Sequence, residues 1–204
     1  MYGKLANTFV RLKNLDRSIQ SNVSIVYDTM MSIKKEFADW KDKLPSYYEA
    51  IILPTHYLEF EDTAIMTGYP YGPRLEYVAT VIGHTMNLYR AGNIAIDIFL
   101  SEYLFQSSSV TEASLRMAHE IVMSMPSLYK IGGVLLTYPG RQAARVLGRE
   151  YREYIAMVLT MIASVSISAA KPALLVRAST ETYKMTCEDY EILRESTNEM
   201  EFFR

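Results

Sequence analysis

Cysteine is almost missing from this chain of 204 residues: Cys187 stands alone. That excludes an internal disulfide framework and any metal site built from several thiolates, and an inert thiol is expected at this position. Net charge is scarce as well, at -2, so the molecule has no overall cationic excess. The opening Met1-Tyr2-Gly3-Lys4 runs into mixed polar residues without the apolar core of a secretory signal, which predicts intracellular synthesis. Strand-like alternation competes nowhere over a useful length, and no internal repeat or low-complexity tract occurs.

Catalytic patterns are also missing. His56, His84 and His119 fall in separate predicted elements, and after His119-Glu120 the chain has Met123 where a zinc-protease helix needs a second histidine. Neither the Glu-x-x-His pairs of di-iron bundles nor a Gly-x-x-x-x-Gly-Lys phosphate loop is present. Glu59, Glu61 and Asp62 read as a solvated loop edge rather than a cation site. No enzyme active site, cofactor or metal is expected.

What the chain does contain is material for helices. Half of its residues are hydrophobic and 22% are charged, the balance of a folded protein. Leu5, Phe9, Leu12, Ile19, Val23, Val26, Met30, Ile33, Phe37, Trp40 and Leu44 recur at helical steps, broken only by Asp16. This stripe reads either as one amphipathic helix roughly 60 Å long, which would project or pair with another subunit, or as two core helices broken near Asn14 to Asp16. Pro45 ends it in both cases. A second long helix is predicted over residues 74 to about 106, after a turn-forming Gly68-Tyr69-Pro70-Tyr71-Gly72-Pro73 loop. Ser109 and Glu112 form a capping box for a third helix, stopped by Pro126. Gly132-Gly133 marks a turn. Pro139 then starts a helix compatible as far as residue 170, where Pro172 interrupts. Thr186 and Asp189 cap a short acidic helix to Met200. The predicted fold is all-α: a basic, heptad-patterned helical arm over residues 1–44 and a helical bundle with an acidic C-terminal helix over residues 45–204.

Charge is polarised along this chain. Lys4, Arg11, Lys13 and Arg17 face only Asp16 at the front, whereas residues 181–204 hold seven acids. In the predicted helix after Pro139, Arg141, Arg145, Arg149 and Arg152 step by 4, 4 and 3, placing four guanidinium groups on one face. Such a row suits a polyanion, since each guanidinium can bind phosphate oxygens in pairs; the alternative is a solvated face with intramolecular ion pairs. Residues 154–170 carry no charge and read as a buried central helix before a bilayer span. Sixteen tyrosines, among them Tyr47, Tyr48, Tyr69, Tyr71, Tyr77 and Tyr89, suit surfaces that meet other surfaces.

The helical character, the tyrosines, the basic front arm and the segment Pro139-Gly140-Arg141-Gln142-Ala143-Ala144-Arg145-Val146-Leu147-Gly148 together resemble the major coat proteins of filamentous archaeal viruses, the lipothrixviruses and their rod-shaped relatives. The resemblance implies a virion structural protein, made in the host cytoplasm. It would coat linear double-stranded DNA as part of a helical filament, alone or paired with a related coat subunit, in some members beneath a lipid envelope. It also implies that Lys4, Arg11, Lys13, Arg17, Arg141, Arg145, Arg149 and Arg152 contact phosphates. The other expectation drawn from the residues is a peripheral-membrane or partner-binding helical adaptor that uses the heptad stripe and the apolar 154–170 helix.

Overall fold

The computed structural model describes residues 2–16, 18–54, 69–70, 73–105 and 110–164. It is an all-α helical bundle with a single short two-stranded sheet among the described residues. The expected acidic C-terminal helix lies outside them.

The front stripe is two helices, α1 (Tyr2–Lys13) and α2 (Gln20–Asp42). The break falls where Asp16 builds its own turn. Its Oδ1 accepts from the Ser18 amide at 2.9 Å and the Ser18 hydroxyl at 2.8 Å, while its carbonyl accepts from Asn22 Nδ2 at 2.9 Å. The two hydrogen bonds from Ser18, amide first and hydroxyl second, hold the Asp16 carboxyl below the usual carboxylate range. The continuous 60 Å helix is therefore replaced by a helix-turn-helix. Val26, Met30, Ile33 and Phe37 of α2 are buried at steps of 4, 3 and 4, each worth on the order of 1.5–3 kcal/mol of apolar transfer. They form a core with Leu5 and Leu12 of α1 and with Ile96, Leu100 and Tyr103 of the next long segment.

That segment is α3 (Thr80–Leu100), widened by a π turn over Ser101–Phe105. It begins six residues later than residue 74, because Arg74–Glu76 is a strand, β2, antiparallel to β1 (Ile51–Leu53) with Ile52 opposite Leu75. Three residues are too few for an alternating pattern to register. Helix α3 serves two cores. One is the cluster with α1 and α2; the other takes Ala91 and Ile94 into contact with α4 (Glu112–Leu128), α5 (Thr137–Val146) and α6 (Arg149–Ala163). A helix packed on both sides loses the one-sided stripe of a surface helix, which is why α3 is buried around much of its circumference, polar His84, Asn87, Arg90 and Asn93 included.

The cap of α4 is Thr111, whose Oγ1 accepts from the Ser114 amide at 3.0 Å, and not the expected Ser109 box; Ser109 itself is outside the described residues. Thr111 wins because Asp97 of α3 is beside it, its Oδ2 accepting from the Thr111 and Ser114 hydroxyls while its Oδ1 pairs with Lys34 of α2. One carboxylate so ties α2, α3 and α4 together. Pro126 does not stop α4, which continues to Leu128: in the last turn only one internal hydrogen bond is lost to the missing N–H. Gly132, at φ 69, makes the expected turn into a short 3-10 segment, Gly133–Leu136.

The predicted long helix after Pro139 is also two helices. Leu147 leaves helical geometry at ψ 157 to enter the core, 4% exposed, and the poor helix former Gly148 follows in extended conformation before α6 begins. Tyr154, Ile155, Ala156, Val158, Leu159 and Ile162 of α6 are buried in the core, the environment expected for this uncharged stretch. Among the described residues no helix is long and apolar enough to cross a membrane.

Candidate nucleic-acid interface

The basic residues come from three helices. Lys4 and Lys13 lie on α1, their side chains outside the described set, and Arg17 is outside it altogether. Arg11 is exposed. The break at Leu147 and Gly148 divides the expected single row: Arg141 and Arg145 belong to α5, Arg149 and Arg152 to α6. The four guanidinium groups thus do not share one helix face.

Arg141 is exposed, and Arg145, one turn on, is 44% exposed with its Nη2 donating to Glu102 Oε1 at 2.8 Å. Arg149 is 49% exposed and its Nε donates to Glu153 Oε1 at 2.8 Å, a pair within one helix turn. Arg152 is half-buried. Arg145 and Arg149 are accordingly held by carboxylates as well as by solvent, the ion-paired alternative to an open cationic row.

Packing brings α1 and α5 together at one groove, of whose lining Arg145 is the one basic residue among those described. This groove of about 290 Å³ is lined by Phe9 and Val10 of α1, Ala95 and Phe99 of α3, Glu102 of the π turn, and Tyr138, Gln142 and Arg145 of α5. Burial raises the Tyr138 phenol, opposed by the positive charge of Arg145 and Arg141, so both arginines act on this groove. The chain matches no protein-family model, no curated protein and no solved structure. The arrangement pairs a surface guanidinium, that of Arg145, with a groove of mostly apolar lining, and a guanidinium bound to a carboxylate can in general bind a phosphate oxygen in its place.

The remaining polar groups lie elsewhere in the bundle. His84 is buried, its ring Nε2 2.8 Å from the Ile131 carbonyl, and His119 lies against Tyr151 with ring centroids 5.2 Å apart. His56 and the Glu59, Glu61 and Asp62 group lie outside the described residues, and among those described no three His, Cys, Asp or Glu converge on a metal position. Two features were not anticipated. Arg90, buried on α3, bonds Glu120, the Tyr77 hydroxyl and Asn87, and it lines a cavity of about 780 Å³ between α3, α4 and the β1–β2 hairpin. Glu102, the partner of Arg145, is separated from it by 43 residues, a distance over which no local pattern operates. Glu153, four residues after Arg149, was legible as an i,i+4 pair.

Proposed function

We propose that this chain is a non-catalytic, self-assembling helical subunit that binds the phosphate backbone of linear double-stranded DNA, a coat protein of the filamentous-virus kind that its sequence resembles. The observation that supports the reading is the pair of exposed arginines one helix turn apart on α5, Arg141 and Arg145, the second of which lines the groove where α5 meets α1. Arginine side chains placed in this way neutralise phosphates and release counterions without reading bases. Binding would follow from exchange of Glu102 and Glu153 for phosphate oxygens. Copies of the chain, or the chain and a related subunit, would then hold the filament together through exposed apolar and tyrosine side chains.

The test is electron microscopy of the purified protein with and without linear double-stranded DNA, alongside affinity measured across a salt series. Regular DNA-containing filaments, lost when Arg141, Arg145, Arg149 and Arg152 are all changed to Ala, are the expected result. Discrete particles indifferent to DNA would sink the reading. They would favour a partner-binding adaptor, for which the exposed Tyr27 and Met31, one turn apart on α2, supply an apolar surface. Salt separates the two, because phosphate contacts weaken steeply as it rises and apolar docking does not.

A further inference from the structure

Arg90 has more donors than the bundle fills. Its Nε donates to Glu120 Oε2 at 2.7 Å, and its Nη1 to the Tyr77 hydroxyl at 2.6 Å and to Asn87 Oδ1 at 3.0 Å. Nη2 carries two further N–H groups that bond nothing among the described residues, yet it is not sealed from solvent. The side chain as a whole is only 7% exposed, so Nη2 meets solvent through the cavity of about 780 Å³ that Arg90 lines. Helix α3 places Met86 one turn before Arg90 in this wall, α4 places Leu115 and Met123 two turns apart on one face, and β2 adds the buried Leu75. The volume lies in the range of small-molecule sites, roughly 300–1,000 Å³.

The charges of the wall sort by depth. Glu49, Glu112 and Arg116 are exposed, and solvent screens them. Arg90 is buried and Lys41 and Glu120 are half-buried, which leaves one positive charge in excess among the deeper groups. Burial lowers the pKa of His119, so its ring adds no charge at neutral pH. We infer that the cavity binds a small organic monocarboxylate with an apolar body, the carboxylate accepting from Arg90 Nη2 and the body lying against Leu75, Met86, Leu115 and Met123. One negative charge fits better than two, because Glu120 already lies on the same guanidinium and repels the second charge that a phosphate monoester would bring. A neutral ligand forfeits the charge-assisted hydrogen bond to Nη2.

The inference does not depend on DNA binding and is tested without DNA, so its failure leaves the nucleic-acid reading standing. The probes are phenylacetate, phenylacetamide and benzyl phosphate, each titrated into the full chain with isotope-labelled methionine methyl groups. By nuclear magnetic resonance, phenylacetate should shift the Met86 and Met123 methyls with one dissociation constant on the order of a millimolar, while Met31, exposed on α2, stays in place. The amide and the phosphate should bind roughly tenfold or more weakly. Ala50→Trp, which fills the cavity from a half-buried position in its wall, should abolish the shifts. Arg90→Lys, which removes Nη2, should bring phenylacetate down to the level of the amide. Where circular dichroism shows that Arg90→Lys folds poorly, the wild-type ratio of carboxylate to amide and the Ala50→Trp variant decide alone. Unmoved Met86 and Met123 methyls at about 10 mM phenylacetate, ten times the expected constant, overturn the inference. So do equal shifts at Met31, an amide or phosphate that binds as tightly as the carboxylate, or binding that survives Ala50→Trp.

Discussion

Arg90 on α3 donates its Nε–H to Glu120 Oε2 on α4 at 2.7 Å, and the two ends of this ion pair are unequally buried, the arginine side chain 7% exposed and the glutamate 37%. The positive charge thus depends on its partner more than the negative one does. Glu120→Gln removes that charge and keeps the shape, leaving a buried guanidinium supported by the Tyr77 hydroxyl at 2.6 Å and Asn87 Oδ1 at 3.0 Å. The expected loss is about 1–3 kcal/mol, below the cost of a fully buried pair because water reaches Glu120. Urea unfolding followed by circular dichroism measures it, and an unchanged midpoint would show that Tyr77 and Asn87 alone suffice.

Tyr154 presents the opposite case. It is 2% exposed and its hydroxyl finds no hydrogen-bond partner among the described residues, while its ring meets Tyr69 edge-on at 5.3 Å. Tyr154→Phe keeps the ring contact and deletes the unsatisfied group, so it should stabilise the fold by about 1 kcal/mol. Burial also pushes this phenol far above its ordinary value. The unfolded phenol ionises near pH 10 and the folded one does not, so its contribution is whole below about pH 10 and is lost as pH rises beyond it. Thermal melts at pH 8 and pH 11 should show a smaller alkaline drop for the phenylalanine variant.

Burial lowers the His119 pKa, favouring the neutral ring in the folded state. Between that lowered value and the unfolded value of about 6.5, the unfolded chain binds the extra proton, so stability is full above about pH 6.5 and falls on acidification. His119→Gln should flatten this part of the pH profile without changing the plateau near neutrality by much. Equal slopes for the two proteins between pH 7.5 and 5 would assign the acid sensitivity elsewhere.

Two glycines differ in why they resist a side chain. At Gly83 a Cβ would lie 2.7 Å from Leu128 Cδ2 and 2.8 Å from Tyr77 Cδ2, closing the α3–α4 contact, so Gly83→Ala should cost about 1–3 kcal/mol through overpacking. At Gly132 the cost is conformational first, about 1 kcal/mol, since φ is +69, and a Cβ would also press on His84 Nε2 at 3.1 Å. Gly132→Asn should recover part of it, because asparagine tolerates the left-handed region, and the ranking Gly, Asn, Ala in melting temperature is the check.

Helical periodicity made α2 readable, because Val26, Met30, Ile33 and Phe37 bury one face and the other faces water. The turn at Asp16 was readable from local chemistry, since its bonds reach only to Ser18 and Asn22. Legibility failed where a distant group decided between local options. Thr111 and Ser109 are both good caps, and the choice rests on Asp97, fourteen residues before Thr111. The helix break after Val146 depends on Leu147 reaching the core, which helix-compatible residues on both sides conceal. The candidate interface suffered most, because the Glu102–Arg145 pair and the groove between α1 and α5 exist only once the bundle is assembled.

That pair yields the sharpest test of the proposed function. If Arg145 and Arg149 bind phosphate, Glu102 and Glu153 compete with DNA for them, and removing the competitors should strengthen binding instead of merely perturbing it. Glu102→Gln and Glu153→Gln each remove one carboxylate from a guanidinium whose side chain is already about half exposed, 44% and 49%. Each should steepen the dependence of log affinity on log salt by about 0.9 for every phosphate newly neutralised. The matching Arg145→Ala and Arg149→Ala variants should lower both affinity and slope. A structural role for these surface pairs predicts a different pattern, in which the glutamine and alanine variants weaken binding alike through a shared loss of order between the π turn, α5 and α6. Affinity rising in one series and falling in the other would rule out a purely structural role for the two pairs and place all four charges in the field of the bound phosphates.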